Sequence, residues 1–361
     1  MKGSFKILEV AGITINMHIT FIMLIGILAI YNPKSFFFVI ALFFFVTIHE
    51  LAHSLVAKRF GIGVKEITLL PIGGVAAMQK MPEKPYQEFL ISIAGPLTNI
   101  MVIVIFYFPL KAFIGPEIFF GTLKYVFSGQ IPQGGNAVMI AEIYWLNLVL
   151  AAFNLLPAFP MDGGRILRSL LAGRLGFRRA TKVAVNFGHA FAILFGYIGI
   201  TQTRLLLIII AVFIYMSASS EEMQVDVKTI LKRFKVRDIL YQQFLTLQKD
   251  AVFSKVMELI FQTRQEDFPI MDESNENMIG FVTRDDIMKG VHQLGMVGEV
   301  SSIMRTDVPS VNELAHLDDV HTLMQTSEIR ALPVLRDNKL VGLVTIDDLN
   351  RVLYSMMNGR G

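Results

Sequence analysis

The chain has 361 residues, 53% of them apolar, with a formal net charge of +3 and no cysteine. Disulfides and thiolate metal sites are therefore excluded, and so is an ordinary pair of soluble domains. The charge is divided, with 17 Lys and Arg against 8 Asp and Glu through Ser220 and 16 against 22 from Glu221 onward, which predicts a basic membrane domain followed by an acidic soluble one.

The N-terminus, MKGSFKILEVAGITINMH, alternates polar and apolar residues and predicts short β elements. It lacks a basic start, an apolar core and a small-residue cleavage site, so no cleaved signal peptide is expected. Six stretches then reach the roughly 20 apolar residues a bilayer crossing needs, or come close to it: 15–32, 35–57, 88–110, 138–157, 183–200 and 204–219, the last two being short. Between the second and third, VKEITLLPIGGVAAM (64–78) alternates at its start and is broken by Pro71 and a Gly73–Gly74 turn. It reads as an edge strand or as a membrane-surface loop. Lys58 and Arg59 follow the second span, and Arg165, Arg168, Arg174, Arg178, Arg179 and Lys182 lie between the fourth and fifth. They are read as a topology signal and as lipid-headgroup contacts, which places the ends of those spans and both chain termini in the cytoplasm. Because the basic residues flank hydrophobic spans, no nucleic-acid partner is expected. His18 and His189 stand alone and read as hydrogen-bonded groups.

The second span ends FFFVTIHELAHSLVAKRFG. His49 and His53 are four residues apart and share one helix face, so both imidazoles can reach one metal, with Glu50 beside them as a candidate general base. Ionisable residues inside a span are costly and mark function by default; the other reading is a pair of interior histidines hydrogen-bonded to Glu50. A catalytic zinc needs a third protein ligand. In FNLLPAFPMDGGR, after the fourth span, Asp162 is the only carboxylate between Glu142 and Glu221. Pro157 and Pro160 oppose a regular helix there, and Gly163 and Gly164 permit a tight backbone. Asp162 is thus a candidate zinc ligand at the same expected depth; the alternative is a turn or capping aspartate before a helix starting near Arg165.

HELAH in a span, GG in LLPIGGVA, ISIAGPLTN and NLLPAFPMDGG together resemble the site-2 protease family of intramembrane metalloproteases, over about residues 1–220. The resemblance implies one catalytic Zn2+ held by His49, His53 and Asp162, with Glu50 activating water. It also implies assistance from Asn154 as a hydrogen-bond donor to substrate or oxyanion, and a similar role for Asn99. The implied reaction is peptide-bond hydrolysis within or near transmembrane segments of membrane-anchored proteins. The family form places Asn directly before Pro-Asp-Gly, whereas here Asn154 precedes Asp162 by eight residues.

From Val236 the chain repeats with a period of about 60 residues: VRDIL answers VSSIM, FPIM answers LPVL, and GFVTRDDI answers GLVTIDDL. Each unit reads as a short strand, a helix, two strands around a polar turn and a helix, and two units would bury their apolar faces together. This resembles a tandem cystathionine-beta-synthase (CBS) pair over 236–357, with units at about 236–292 and 300–357 and a helical linker at 221–235. The resemblance implies an adenine nucleotide (ATP, ADP or AMP) near Thr283 and Asp286 in one unit and Thr345 and Asp348 in the other, and a homodimer through the CBS domains. The other reading of each Thr is a helix cap. The expected fold is a polytopic α-helical membrane domain of about six transmembrane helices, with small β elements at the N-terminus and 64–78, followed by a cytoplasmic α/β tandem CBS (Bateman) domain. The expected location is the cell membrane. A CBS-gated transporter or channel is the competing class; it would show an internal repeat among its spans or broken helices without a metal triad.

Overall fold

The computed structural model describes residues 3–31, 33–71, 73–78, 82, 84–128, 135–240, 243–263, 265–337 and 339–358. The chain divides into two compact units, Met1–Met223 and Gln224–Gly361.

In the first unit, strands β1 (Ser4–Val10) and β2 (Ile13–His18) form an antiparallel hairpin. Its two linking residues, Ala11 and Gly12, have φ of 52° and 71°, the pairing that matches the twist of a tight hairpin. Helices α1 (Ile19–Tyr31) and α2 (Pro33–Arg59) carry the chain back so that β3 (Val64–Leu70) lies parallel to β2. Strand β4 (Gly73–Met78) then pairs antiparallel with β3, giving a sheet ordered β1-β2-β3-β4. Alternation works as it should: Ile13, Ile15, Ile67 and Leu69 are buried and pack with Phe21, Phe43 and Ala57.

The 64–78 segment is therefore a strand pair, not a loop. Gly73 and Gly74 open β4, paired with Leu70 and Leu69, so they do not form the expected turn. Six further helices follow in this unit: α3 (Pro85–Ile114), α4 (Pro116–Ser128), α5 (Asn136–Asn154), α6 (Asp162–Leu175), α7 (Phe177–Thr201) and α8 (Leu205–Leu231). Helix α8 begins in the first unit and runs on past its boundary, so the last expected span and most of the expected linker are one helix.

Among the described residues five helices are long and apolar enough to cross a membrane: Ser35–Arg59, Pro85–Ile114, Asn136–Asn154, Phe177–Thr201 and Leu205–Leu231. Six spans were expected. The 15–32 stretch is divided, because its first residues pair as β2 and leave α1 with 13. That helix is about 20 Å long, against a hydrocarbon core of about 30 Å. Helix α4 was not foreseen.

The second unit contains two copies of one motif. The first comprises β5 (Leu247–Gln248), α9 (Phe253–Thr263), β6 (Phe268–Met271), β7 (Met278–Val282) and α10 (Arg284–Leu294). The second comprises β8 (Val311–Asn312), α11 (Leu317–Ser327), β9 (Ala331–Arg336), β10 (Lys339–Thr345) and α12 (Ile346–Asn358). Each forms a three-stranded sheet with one parallel and one antiparallel pairing. The middle strands carry unbroken buried runs, FPIM and ALPV, as strands covered on both faces should.

Candidate metal centre

Three side chains from two distant elements meet in the first unit. Helix α2 places His49 and His53 one turn apart, their rings 4.7 Å between centroids, and the N-terminus of α6 brings in Asp162. The His49 Nε2–Asp162 Oδ2 distance is 3.0 Å, that from His53 Nε2 to the same oxygen 3.1 Å, and the two Nε2 atoms are 3.1 Å apart. Both histidines are buried and Asp162 is half-buried.

The helix housing Asp162 starts at Asp162 itself, not near Arg165. The capping alternative fails here: the N-cap position is Met161, without a side-chain capping bond, and Asp162 turns its Oδ2 to the histidines. The tight entry depends on the two glycines that follow. A Cβ on Gly163 would stand 2.2 Å from the Leu156 carbonyl oxygen, and one on Gly164 2.5 Å from the Ala158 carbonyl carbon.

The donor set fits a cation. His53 Nδ1 lies 2.6 Å from the carbonyl oxygen of Ile91 on α3. A carbonyl can only accept, so Nδ1 carries the proton and Nε2 of the neutral ring presents a lone pair. In that neutral form the lone pair of Nε2 and the Asp162 carboxylate oxygen are both available to one metal ion. The triangle is also about the right size: ligand atoms 2.0–2.1 Å from a tetrahedral zinc stand about 3.3 Å apart. Room for the ion comes from Gly95 on α3, where a Cβ would fall 2.3 Å from His53 Nε2 and 2.6 Å from His49 Nε2. His49, His53 and Asp162 are a group that could hold a metal ion.

Glu50 is half-buried beside this group, against β4. A Cβ on Gly74 would stand 2.7 Å from Glu50 Cγ, so the glycine at the start of β4 lets strand and carboxylate approach. Asn99 lies one turn beyond Gly95 on α3. It is buried, its Nδ2 has no hydrogen-bond partner among the described residues, and its backbone oxygen accepts from Asn147 Nδ2 at 3.1 Å. Asn154 ends α5, half-buried. Among the described residues no hydrogen bond joins Asn99 or Asn154 to the histidine–aspartate group. His189 is hydrogen-bonded, as expected, to Ser219 Oγ at 3.0 Å.

One basic residue departs from expectation. Arg168 does not face headgroups; it is buried between Glu88 of α3 and Glu221 of α8, because two carboxylates supply the partners a buried guanidinium needs.

In the second unit Thr283 caps α10 in a reciprocal capping box: its Oγ1 accepts from the Asp286 amide, and Asp286 Oδ2 accepts from the Thr283 amide at 3.2 Å. Thr345 and Asp348 repeat the arrangement at 3.2 and 3.0 Å. The cap reading thus holds at both positions. The two differ in their other partners. Asp286 is also gripped by the Arg305 fork, Nε to Oδ2 at 2.8 Å and Nη2 to Oδ1 at 2.7 Å. Burial pushes the Asp286 carboxyl up, but Arg305 and Thr283 outweigh it and hold it below its ordinary value. The nearest cation to Asp348 Oδ1 is the exposed Arg351, at 3.9 Å. Asp267, just before β6, is buried, and burial pushes its carboxyl up to about 6 despite the Arg284 amide that donates to it.

Several of these contacts had no signal in the sequence reading. The Ile91 carbonyl has none in any residue type, and Arg168 resembled its basic neighbours. Gly95 stands in the ISIAGPLTN motif, but nothing in the sequence placed it against the histidines.

Comparison with known proteins covers both parts of the chain. Residues 37–195 match the model of peptidase family M50, and residues 236–293 and 300–355 each match the CBS domain. A zinc metalloprotease of Methanocaldococcus jannaschii is 31% identical over 358 residues, covering 98% of this chain and 97% of that protein. Stage IV sporulation protein FB of Bacillus subtilis is 27% identical over 218 residues, 59% of this chain and 69% of that one. Among solved structures, the site-2 protease from M. jannaschii is 36% identical and covers 61% of this chain and 95% of its own, with a TM-score of 0.42.

Proposed function

The chain belongs to peptidase family M50 as a membrane zinc metalloprotease with a tandem CBS pair, and on that footing we propose that it hydrolyses peptide bonds within or near transmembrane segments of membrane-anchored proteins. The observation that carries this reading is the convergence of His49 Nε2, His53 Nε2 and Asp162 Oδ2 on the gap left by Gly95, with Glu50 beside it. In this assignment residues 1–220 are the protease domain, 221–235 the linker and 236–357 the CBS pair.

His49, His53 and Asp162 would hold the zinc, which when bound would polarise the scissile carbonyl and acidify the attacking water. Glu50 takes the proton from that water at its carboxylate and returns it to the leaving amine. Asn154 donates an amide hydrogen to the carbonyl oxygen as charge develops there, and Asn99 supports the same region from α3. A helical substrate hides its carbonyls in its own hydrogen bonds, so it must unwind before attack. Strand β4 is the sheet edge against α2, and an unwound peptide adds there as a further strand.

The basic residues at Lys58, Arg59 and from Arg165 to Lys182, Arg168 excepted, support a cytoplasmic CBS pair and a site near that face. The tail takes an adenine nucleotide, and Asp348, whose Oδ1 has no hydrogen bond among the described residues, is the better placed of the two aspartates. The test is reconstitution with a labelled transmembrane peptide, comparing wild type with Glu50→Gln and Asp162→Ala. Glu50→Gln should keep one zinc per chain and lose cleavage by about 100-fold or more; Asp162→Ala should lose both. Undiminished cleavage in the two variants would sink the mechanism.

A further inference from the structure

Nothing in the hydrolysis just described uses Arg168, yet it is among the most heavily partnered side chains in the first unit. Its residue is 3% exposed. Nε and Nη2 both donate to Glu88 Oε1, the first at 2.8 Å, while Nη1 donates to Glu221 Oε1 at 2.7 Å. The guanidinium carbon lies 4.8 Å from the Phe159 ring centre and 4.5 Å from that of Phe177. Stability alone does not call for such a group, since apolar side chains filling the same volume are often as stable as a buried ion cluster. What a planar fork adds is geometry, because its donors fix both distance and direction.

Of the three helices it joins, α6, α3 and α8, the first two build the metal centre around α2. On α6, Asp162 stands six residues before Arg168, about 9 Å along the axis. On α3, Glu88 stands three residues before Ile91, whose carbonyl orients His53, and seven before Gly95. We propose that Arg168, held by Glu88 and Glu221, is a positioning residue that sets where Asp162 stands against His49 and His53; this rests on the ligand assignment above. Helix α6 packs along α3 and α7, and what sets its register on them is its glycine-packed first turn and the Arg168 fork. Without the second, α6 pivots about the first, and ligand distances that must hold to about 0.2 Å are lost.

Arg168→Met alone strands two buried carboxylates and threatens the fold itself. The decisive variant is Arg168→Met/Glu88→Leu/Glu221→Leu in the full chain, which replaces the whole cluster with apolar groups. Three readouts are taken: zinc affinity by competition with a chelator, the Tm of the metal-free protein, and kcat and KM on a labelled transmembrane peptide. Zinc affinity should fall about 10- to 100-fold, as when groups that orient ligands are removed. Correspondingly kcat should fall with KM little changed, and the metal-free Tm should stay close to wild type. Wild-type zinc affinity overturns the proposal, and so does a zinc loss matched by a fall in metal-free Tm, which would mean general loosening. If the triple variant does not fold, Glu221→Gln decides by the same criteria, with zinc affinity expected to fall several-fold. Asp162→Ala run alongside separates the two assignments. If it keeps zinc, the ligand assignment fails; if it loses zinc while the cluster variant keeps it, only the positioning role fails.

Discussion

The polar groups of the two units are built on opposite plans. In the first, the site joins residues 113 positions apart, and His53, whose Nδ1 donates to the Ile91 carbonyl, turns its Nε2 to Asp162 Oδ2. In the second, Thr283 with Asp286 and Thr345 with Asp348 are three residues apart, and each pair exchanges its capping bonds inside one helical turn. The difference teaches how to weigh such clusters. A local pair is accounted for by capping before any ligand is invoked, whereas two imidazoles and a carboxylate brought together from distant positions among apolar helices suit a cation.

The sharpest way to break this contrast is at Gly95. Gly95→Ala puts a methyl group where the ion must sit, and zinc affinity should fall by about 100-fold or more, with cleavage lost in parallel. Metal analysis that still finds one zinc per chain would remove the cavity argument. Gly74→Ala is the milder counterpart, since its Cβ meets Glu50 and no histidine. Zinc should stay, and kcat should drop about tenfold, within the range assigned to general-base catalysis; equal loss of zinc would show that β4 shapes the metal site as well.

The second unit sharpens the contrast from the other side. Asp348→Ala should weaken ATP or AMP binding about tenfold by calorimetry, whereas Asp286→Ala should chiefly cost stability, about 1–2 kcal/mol, because it removes a capping partner and the Arg305 contact together. Nucleotide affinity lowered more by Asp286→Ala than by Asp348→Ala would reverse the ranking of the two sites.

The remaining effect, confined to part of the pH range, concerns Asp267. Its carboxyl sits at about 6 in the fold against 3.8 when exposed, so the folded unit binds the extra proton between those values. The stability this contributes is full below about pH 4 and lost as the pH rises through about 6. Asp267→Asn should therefore stabilise the second unit by about 1–3 kcal/mol at pH 7.5 and by little at pH 4, read from amide hydrogen exchange. A difference independent of pH would contradict the buried-charge account.

The amino-acid sequence by itself determined the division into a membrane part and a repeated tail, the helical pair His49 and His53, and the candidacy of Asp162. These are matters of composition, period and nearest charged neighbour, all of which survive in one dimension. Tertiary structure decided the rest. Residues 15–18 looked like the start of a span until β1 and β3 paired with them, since a buried strand and a lipid-facing helix draw on the same apolar residues. Arg168 looked like its five basic neighbours until Glu88 and Glu221 closed on it. The proton on His53 Nδ1, which makes Nε2 a ligand, depends on a carbonyl 38 residues away. Such contacts join groups far apart in sequence, and no residue type announces the distance at which another will stand.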